Sequence, residues 1–386
     1  MTSQYLGPRG NDQTRISPSR LLSARLRRGM TKSELAKQLN IAPATLSRWE
    51  SEGPPPSKSV ALIAQLEKTL NFSPAYFSAS ELEIPEAEST LFRAGSRATK
   101  RQKMAAIACG TSGVILASWL RRNFNFPPPK LPDLTGFPPS EAAKYVRTIW
   151  RLGDRPIPNS VQLAESFGIA VMGLPPFASA VDAFSLWDGD QPFIFLARRR
   201  TPEGARFDLS HELGHLVMHS GFRTTDPKKD YEKPSQNMEA EANAFASEFL
   251  IPGDAVRARL RMHPSLQEIL LLKSQFKVSA MAALRSAYTN GRLTEREYRT
   301  HATVLSQRGF RTGEPGSKLQ YERSRIFDYV LGPDGGEDLN SISMSTSLPI
   351  DDLSFLVLNS QTVALSSQTG SIRNSQGKRP HLRLVR

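Results

Sequence analysis

The sequence predicts an α+β protein built from several units, and three observations carry that reading. Its 386 residues exceed what one hydrophobic core usually organises, so two or three units are expected. From Ser17 to Phe77 the apolar residues recur at helical spacing only. Beyond Ser140, helical stretches flank three short apolar runs, Ala170 to Leu174, Asp182 to Trp187 and Pro192 to Ala197, which read as strands of a small sheet. A hydrophobic fraction of 39% and a charged fraction of 23% are those of a globular chain, which argues against a disordered or fibrous one.

The N-terminal stretch begins with Leu21, Leu22, Leu26 and Met30 on one helical face. Thr31-Lys32-Ser33-Glu34 has the pattern of a capping box, in which the Thr31 hydroxyl and the Glu34 carboxylate satisfy backbone donors at a helix start. Leu35, Ala36 and Leu39 then face inward. Asn40-Ile41-Ala42 turns the chain, Pro43 suits a first helical position, and Leu46 and Trp49 supply the buried side of the next helix. Gly53-Pro54-Pro55-Pro56 stops that helix, and Val60, Leu62, Ile63, Leu66 and Leu70 begin another. Arg25, Arg27 and Arg28 fit phosphate binding and an ordinary exposed face equally, both of which put them at the surface.

After the acidic junction ELEIPEAES comes an apolar stretch, Met104 to Trp119, between the basic groups KRQK and RR. It falls short of the roughly 20 apolar residues a bilayer crossing needs, and Thr111, Ser112 and two glycines interrupt it, so a buried or partner-facing helix is expected. The N-terminal MTSQYLGPRGNDQTRIS has no apolar core behind a basic start, so neither a secretory signal nor a membrane partner is expected. The organisation read from these boundaries is a helical unit at 17–77, a helical connector and proline-rich linker at 88–139, a mixed unit at 140–313 and a helical C-terminal region of unknown role at 314–386.

Cys109 is the single cysteine, which rules out an intrachain disulfide and a thiolate metal cluster and fits a reducing cytoplasm. A net charge of +13 draws polyanions such as nucleic acid.

His211-Glu212-Leu213-Gly214-His215 fits H-E-x-x-H, with Phe207, Leu209, Leu213, Leu216 and Val217 marking a buried helix around it. Two histidines four apart lie one turn apart on one face, so both imidazoles can converge on a single zinc. Glu212 then lies beside the open position, where its carboxylate can take a proton from the attacking water and pass it to the leaving amine. His219 lies about 12 Å from His211 along the axis, too far to bind the same ion. The third ligand must come from elsewhere, and Met238-Glu239-Ala240-Glu241-Ala242-Asn243 is the best source. Glu239 and Asn243 share a helical face, so Glu239 can reach the metal while Asn243 accepts a hydrogen bond from a ligand histidine; Glu241 falls roughly opposite.

RFDLSHELGHLVMH and EAEANAFASEFLIP, preceded by QPFIFLARRRTPEGA, resemble the ImmA/IrrE metallopeptidase family over about Ser140 to Gly313. The resemblance implies a compact zincin-like fold, with His211, His215 and Glu239 as ligands of Zn2+ (Mn2+ is an alternative) and Glu212 as catalytic acid and base. It also implies cleavage of a regulatory protein, often a DNA-binding repressor. Asn243 stands where that family often has aspartate, which weakens polarisation of the histidine.

MTKSELAKQLNIAPATLSRWESEGPPPS resembles the XRE-type helix-turn-helix domain, over about Ser17 to Phe77. The resemblance places Pro43 to Ser51 in the major groove of double-stranded DNA, with Lys32 on the backbone. Arg48 then reads guanine in bidentate fashion, Thr45 or Ser47 bonds a base edge or phosphate, and Ala44 touches a thymine methyl. Pro43 and Ala44 stand where this family often has polar readers. Together the two resemblances imply a cytoplasmic regulator that binds DNA, compatible with a homodimer, and cleaves a regulatory protein there. The alternative is a DNA-binding transcription factor whose metal is structural or sensory.

Overall fold

The computed structural model describes residues 15–82, 91–94, 99–175, 181–198, 201–219 and 236–358. Most of the acidic junction and the basic C-terminal segment fall outside these residues. The chain forms two compact units, one from described residues within 1–127, 172–181 and 324–386, the other from those within 128–171 and 182–323.

The first unit opens with five helices: α1 (Pro18–Arg27), α2 (Lys32–Gln38), α3 (Pro43–Glu52), α4 (Ser59–Leu70) and α5 (Pro74–Ser78). The capping box is present at the start of α2, where Glu34 N–H donates to Thr31 Oγ1 (3.1 Å) and Thr31 N–H donates to Glu34 Oε2 (2.6 Å). Pro43 sits at the start of α3, where its missing amide hydrogen costs nothing. Leu21, Ala24, Leu35, Ala36, Leu46 and Trp49 meet in the core, with Phe72, Tyr76 and Phe77 closing it from below α4. A short strand β1 (Leu91–Ala94) and the long helix α6 (Lys100–Asn123) follow.

α6 is long and apolar enough to cross a membrane, but 78% of its apolar window is buried inside the protein, as in a core helix. Burial from Ala105 to Gly113 is continuous, and the small residues Ala105, Ala106, Ala108 and Gly110 let neighbours, α1 among them, approach closely. Two of its hydroxyls, Thr111 and Ser112, donate back to the carbonyls of Ile107 (3.2 Å) and Ala108 (3.3 Å), so they are buried without loss.

The second unit holds α7 (Pro139–Ile149), α8 (Ser160–Ser166), the first two residues of strand β2 (Ala170–Gly173), β3 (Val181–Asp188) from its second residue on, and β4 (Gln191–Leu196), then α9 (Pro202–Met218), α10 (Gln236–Leu250), α11 (Gly253–Arg259), α12 (Leu266–Phe276), α13 (Ala280–Thr289) and α14 (Glu295–Gln307). β3 and β4 pair antiparallel, from Ala183 opposite Leu196 to Asp188 opposite Gln191, and β4 lies between β3 and β2. Phe184 stacks on Phe195 with centroids 4.7 Å apart, and Phe193, Phe184 and Phe195 are fully buried. The proline-rich segment is packed rather than free: Lys130 N–H donates to Phe167 O (3.0 Å) and Leu134 N–H to Val217 O (2.7 Å).

α9 is the centre of this unit, touching β4 and helices α7, α8 and α10. Neighbours on every side explain why it lacks a polar stripe: Asp208 through Met218 are all buried. Gly214 permits the closest approach, since a Cβ there would stand 3.0 Å from the Phe245 ring of α10.

The chain then returns to the first unit as three short helices, α15 (Arg325–Val330), α16 (Leu339–Thr346) and α17 (Ile350–Leu356). Here the expectation of an exposed arginine face fails. Arg27 is fully buried, with Nη2 3.1 Å from Asp352 Oδ1, and Arg28 Nη1 lies 2.8 Å from the same oxygen. Arg25 is buried too, gripping Glu50 of α3 through Nε (2.5 Å) and Nη2 (2.9 Å). The partners lie 25 and more than 300 residues away in sequence, which is why helical spacing alone assigned these side chains to solvent.

Candidate metal centre and nucleic-acid interface

α9 is started by Thr201, whose Oγ1 accepts from Gly204 N–H (3.1 Å), and by Pro202 in the first turn. Its upstream half is tied down by Arg206, which is fully buried, donates to Ile157 O (2.8 Å) and forms an ion pair with Glu322. That anchoring fixes where the next turns aim His211 and His215.

The two rings approach through Nε2, 3.0 Å apart. Glu239 from α10 completes a triangle, with Oε2 3.4 Å from His211 Nε2 and Oε1 3.4 Å from His215 Nε2. One ligand atom from each of the three lies within 4.8 Å of the others. Burial pushes the Glu239 carboxyl up, but His211 and His215 outweigh it and hold it well below the usual carboxylate range.

Each ring's other nitrogen is engaged. His211 Nδ1 lies 3.1 Å from Asn243 Oδ1, an acceptor only, so the ring proton sits on Nδ1 and Nε2 carries a lone pair. His215 Nδ1 lies 2.9 Å from Nδ1 of His219, whose Nε2 is 3.0 Å from Glu241 Oε2. Burial holds the His219 imidazole below its usual pKa despite the pull of Glu241. His219 thus stands behind His215, away from the triangle, and Glu241 reaches this outer layer rather than pointing away from the site.

The fit to a metal follows from chemistry. An unprotonated His211 Nε2 facing His215 Nε2 and a carboxylate is a set of converging electron-pair donors, which a divalent cation such as zinc satisfies. Glu212 is fully buried beside them, and its Oε2 accepts from Ser185 Oγ of β3 at 2.8 Å. Sequence reading missed Ser185, which lies 27 residues upstream on a strand; only the serine's place in an otherwise apolar run, Phe184-Ser185-Leu186, could have signalled it.

In the first unit, Lys32, Ala44 and Arg48 are exposed, and Thr45 and Ser47 are half-buried. Lys32 Nζ donates to Ser47 Oγ (2.7 Å), which brings the start of α2 beside the middle of α3. Leu46, Trp49 and Glu50 face the core, so α3 turns its remaining side outward. The basic group at the start of α6 contributes Arg101, whose Nη1 lies 3.2 Å from Glu34 of α2.

Residues 164–288, which contain every member of the triangle and its partners, match a peptidase family described as the IrrE N-terminal-like domain. Residues 21–77 match the family described as helix-turn-helix. The two matches place a helix-turn-helix region upstream of an IrrE-like region in one chain. The helix-turn-helix match covers Lys32 and all of α3, and the α+β class expected from the sequence holds for the chain: a helical region at its helix-turn-helix match and a small mixed sheet with helices at the IrrE-like match. No curated protein matches the chain.

Proposed function

We propose that this protein is a cytoplasmic regulator that binds double-stranded DNA through its helix-turn-helix domain and cleaves a regulatory protein, such as a repressor, by zinc-dependent peptide hydrolysis. The observation that carries the reading is the convergence of His211 Nε2, His215 Nε2 and Glu239 beside Glu212, in a chain that also bears a helix-turn-helix domain. His211, His215 and Glu239 would hold the metal, with Asn243 orienting His211. When bound, zinc lowers the pKa of the attacking water toward neutrality and polarises the scissile carbonyl.

The protein's own part is proton transfer and positioning. Glu212 accepts the water's proton and returns it to the leaving amine, while Ser185, donating to Oε2, orients the carboxylate. Lys32 would contact phosphate, and Ala44, Thr45, Ser47 and Arg48 would face the groove. Coupling the two domains directs hydrolysis to a protein met at DNA. A second reading, a DNA-binding factor whose metal is structural or sensory, draws on the complete burial of Glu212.

One experiment separates them. Metal content of the purified protein is measured beside a search for protein fragments in cells carrying wild type or Glu212→Gln. The peptidase reading expects both proteins to hold zinc and only wild type to generate fragments. Equal fragment yield from Glu212→Gln would overturn it.

A further inference from the structure

The two histidines of the metal triangle are held by different devices. Asn243 meets His211 directly, whereas His215 is backed by a second histidine and, behind that, a carboxylate. His219 is the first residue beyond α9, with its N–H still donating to His215 O (3.0 Å). Leaving the helix there swings its ring over the back of His215, where the two Nδ1 atoms lie 2.9 Å apart. The other ring nitrogen faces Glu241 Oε2 at 3.0 Å, and Glu241 Oε1 is itself held by Asn237 Nδ2 at 2.8 Å.

We propose that His219 and Glu241 are positioning residues that fix His215 as the tautomer presenting an unprotonated Nε2 to the metal; the inference rests on the metal reading above. The logic follows from donor counting. A carboxylate only accepts, so the His219 hydrogen lies on Nε2. In the neutral ring Nδ1 is then a lone pair, and two Nδ1 atoms 2.9 Å apart share one hydrogen, which must belong to His215. With Nδ1 protonated, His215 offers its Nε2 lone pair toward Glu239 and the facing Nε2 of His211.

The test uses the full-length protein with 15N-labelled histidine, first without metal. The relay expects the His215 nitrogen shifts of a ring protonated at Nδ1. Zinc affinity is then measured by competition with a chromophoric chelator. His219→Leu should bind zinc about 10- to 100-fold more weakly. His219→Gln, which keeps one acceptor and one donor in sequence, should recover most of that loss, and Glu241→Ala should fall between. A His215 ring protonated at Nε2 in the metal-free wild type would overturn the relay, and this measurement stands even if His219→Leu fails to fold. Wild-type affinity in a folded His219→Leu would overturn it while leaving the metal site intact. Failure of the wild type itself to bind zinc would instead remove the metal reading and the relay with it.

Discussion

Helices α9 and α3 both begin with proline and both carry the side chains on which a function is proposed, yet they are built in opposite ways. α9 is enclosed by a strand and three helices, and its histidines and Glu212 have their orientation set by groups from other elements: Asn243, His219 and Ser185. α3 has no side-chain cap at Ala42 and turns Ala44 and Arg48 to solvent, while its rear side is fixed by Arg25 gripping Glu50. The difference matches the chemistry asked of each. A metal and a proton-transferring carboxylate need atoms held to a fraction of an ångström, so the organising contacts surround them. A DNA reader must stay open to a large ligand, so support is supplied from behind and the front stays exposed.

If rigidity behind α3 comes from buried charge pairs, breaking one should have the largest effect of any change outside the metal site. Asp352→Ala removes the carboxylate shared by Arg27 and Arg28, whose Arg27 partner has no exposed surface. Leaving that guanidinium buried without its counter-charge should cost about 3–5 kcal/mol of stability, read from chemical unfolding of the full chain. A loss under about 1 kcal/mol, as surface pairs give, would mean the pair is not what holds α1 in place.

A smaller loss should follow when the partner of His211 is removed. Asn243→Ala should keep the fold and weaken zinc binding by about 10- to 100-fold, while Asn243→Asp should bind at least as well as wild type. Equal affinity across the three proteins would show that α9 alone, without α10's amide, positions the ring.

Much of this arrangement was legible in the sequence because it is periodic or local. The capping box at Thr31, the proline start of α3, and the three apolar runs that became strands are all decided within a few residues. Helical geometry also sufficed to put Glu239 and Asn243 on one face, and the structure brings that face against His211. What escaped were contacts between elements far apart in sequence. His219 lies outside the triangle of His211, His215 and Glu239, and its ring turns back because the helix ends at Met218. Glu241 meets it because α10 packs along α9, a fact with no period to reveal it. The arginines of α1 misled for the same reason, since their carboxylates lie on α3 and on α17.

On the open side of the comparison the effects should be smaller and of two kinds. Against a duplex selected by the wild type from a random pool, Arg48→Ala should lose about 1–3 kcal/mol and relax the preference for one base pair. Loss of affinity with the preference unchanged would move Arg48 from base reading to backbone contact.

Lys32 offers the finest test. Its ammonium is tethered to Ser47 and stands 3.9 Å from Glu50, so near α3 its charge is partly answered by a carboxylate. If it nonetheless meets a phosphate, Lys32→Ala should weaken all duplexes alike and reduce the slope of log affinity against log salt by about 1. Lys37, exposed in the last turn of α2, is the control whose removal should leave the slope unchanged. Equal slopes for Lys32→Ala and wild type would place the phosphate contacts elsewhere and assign the Lys32–Ser47 bond to holding α2 against α3. In that case the front of the domain would be more fixed than its exposure implies, and the contrast with α9 would narrow.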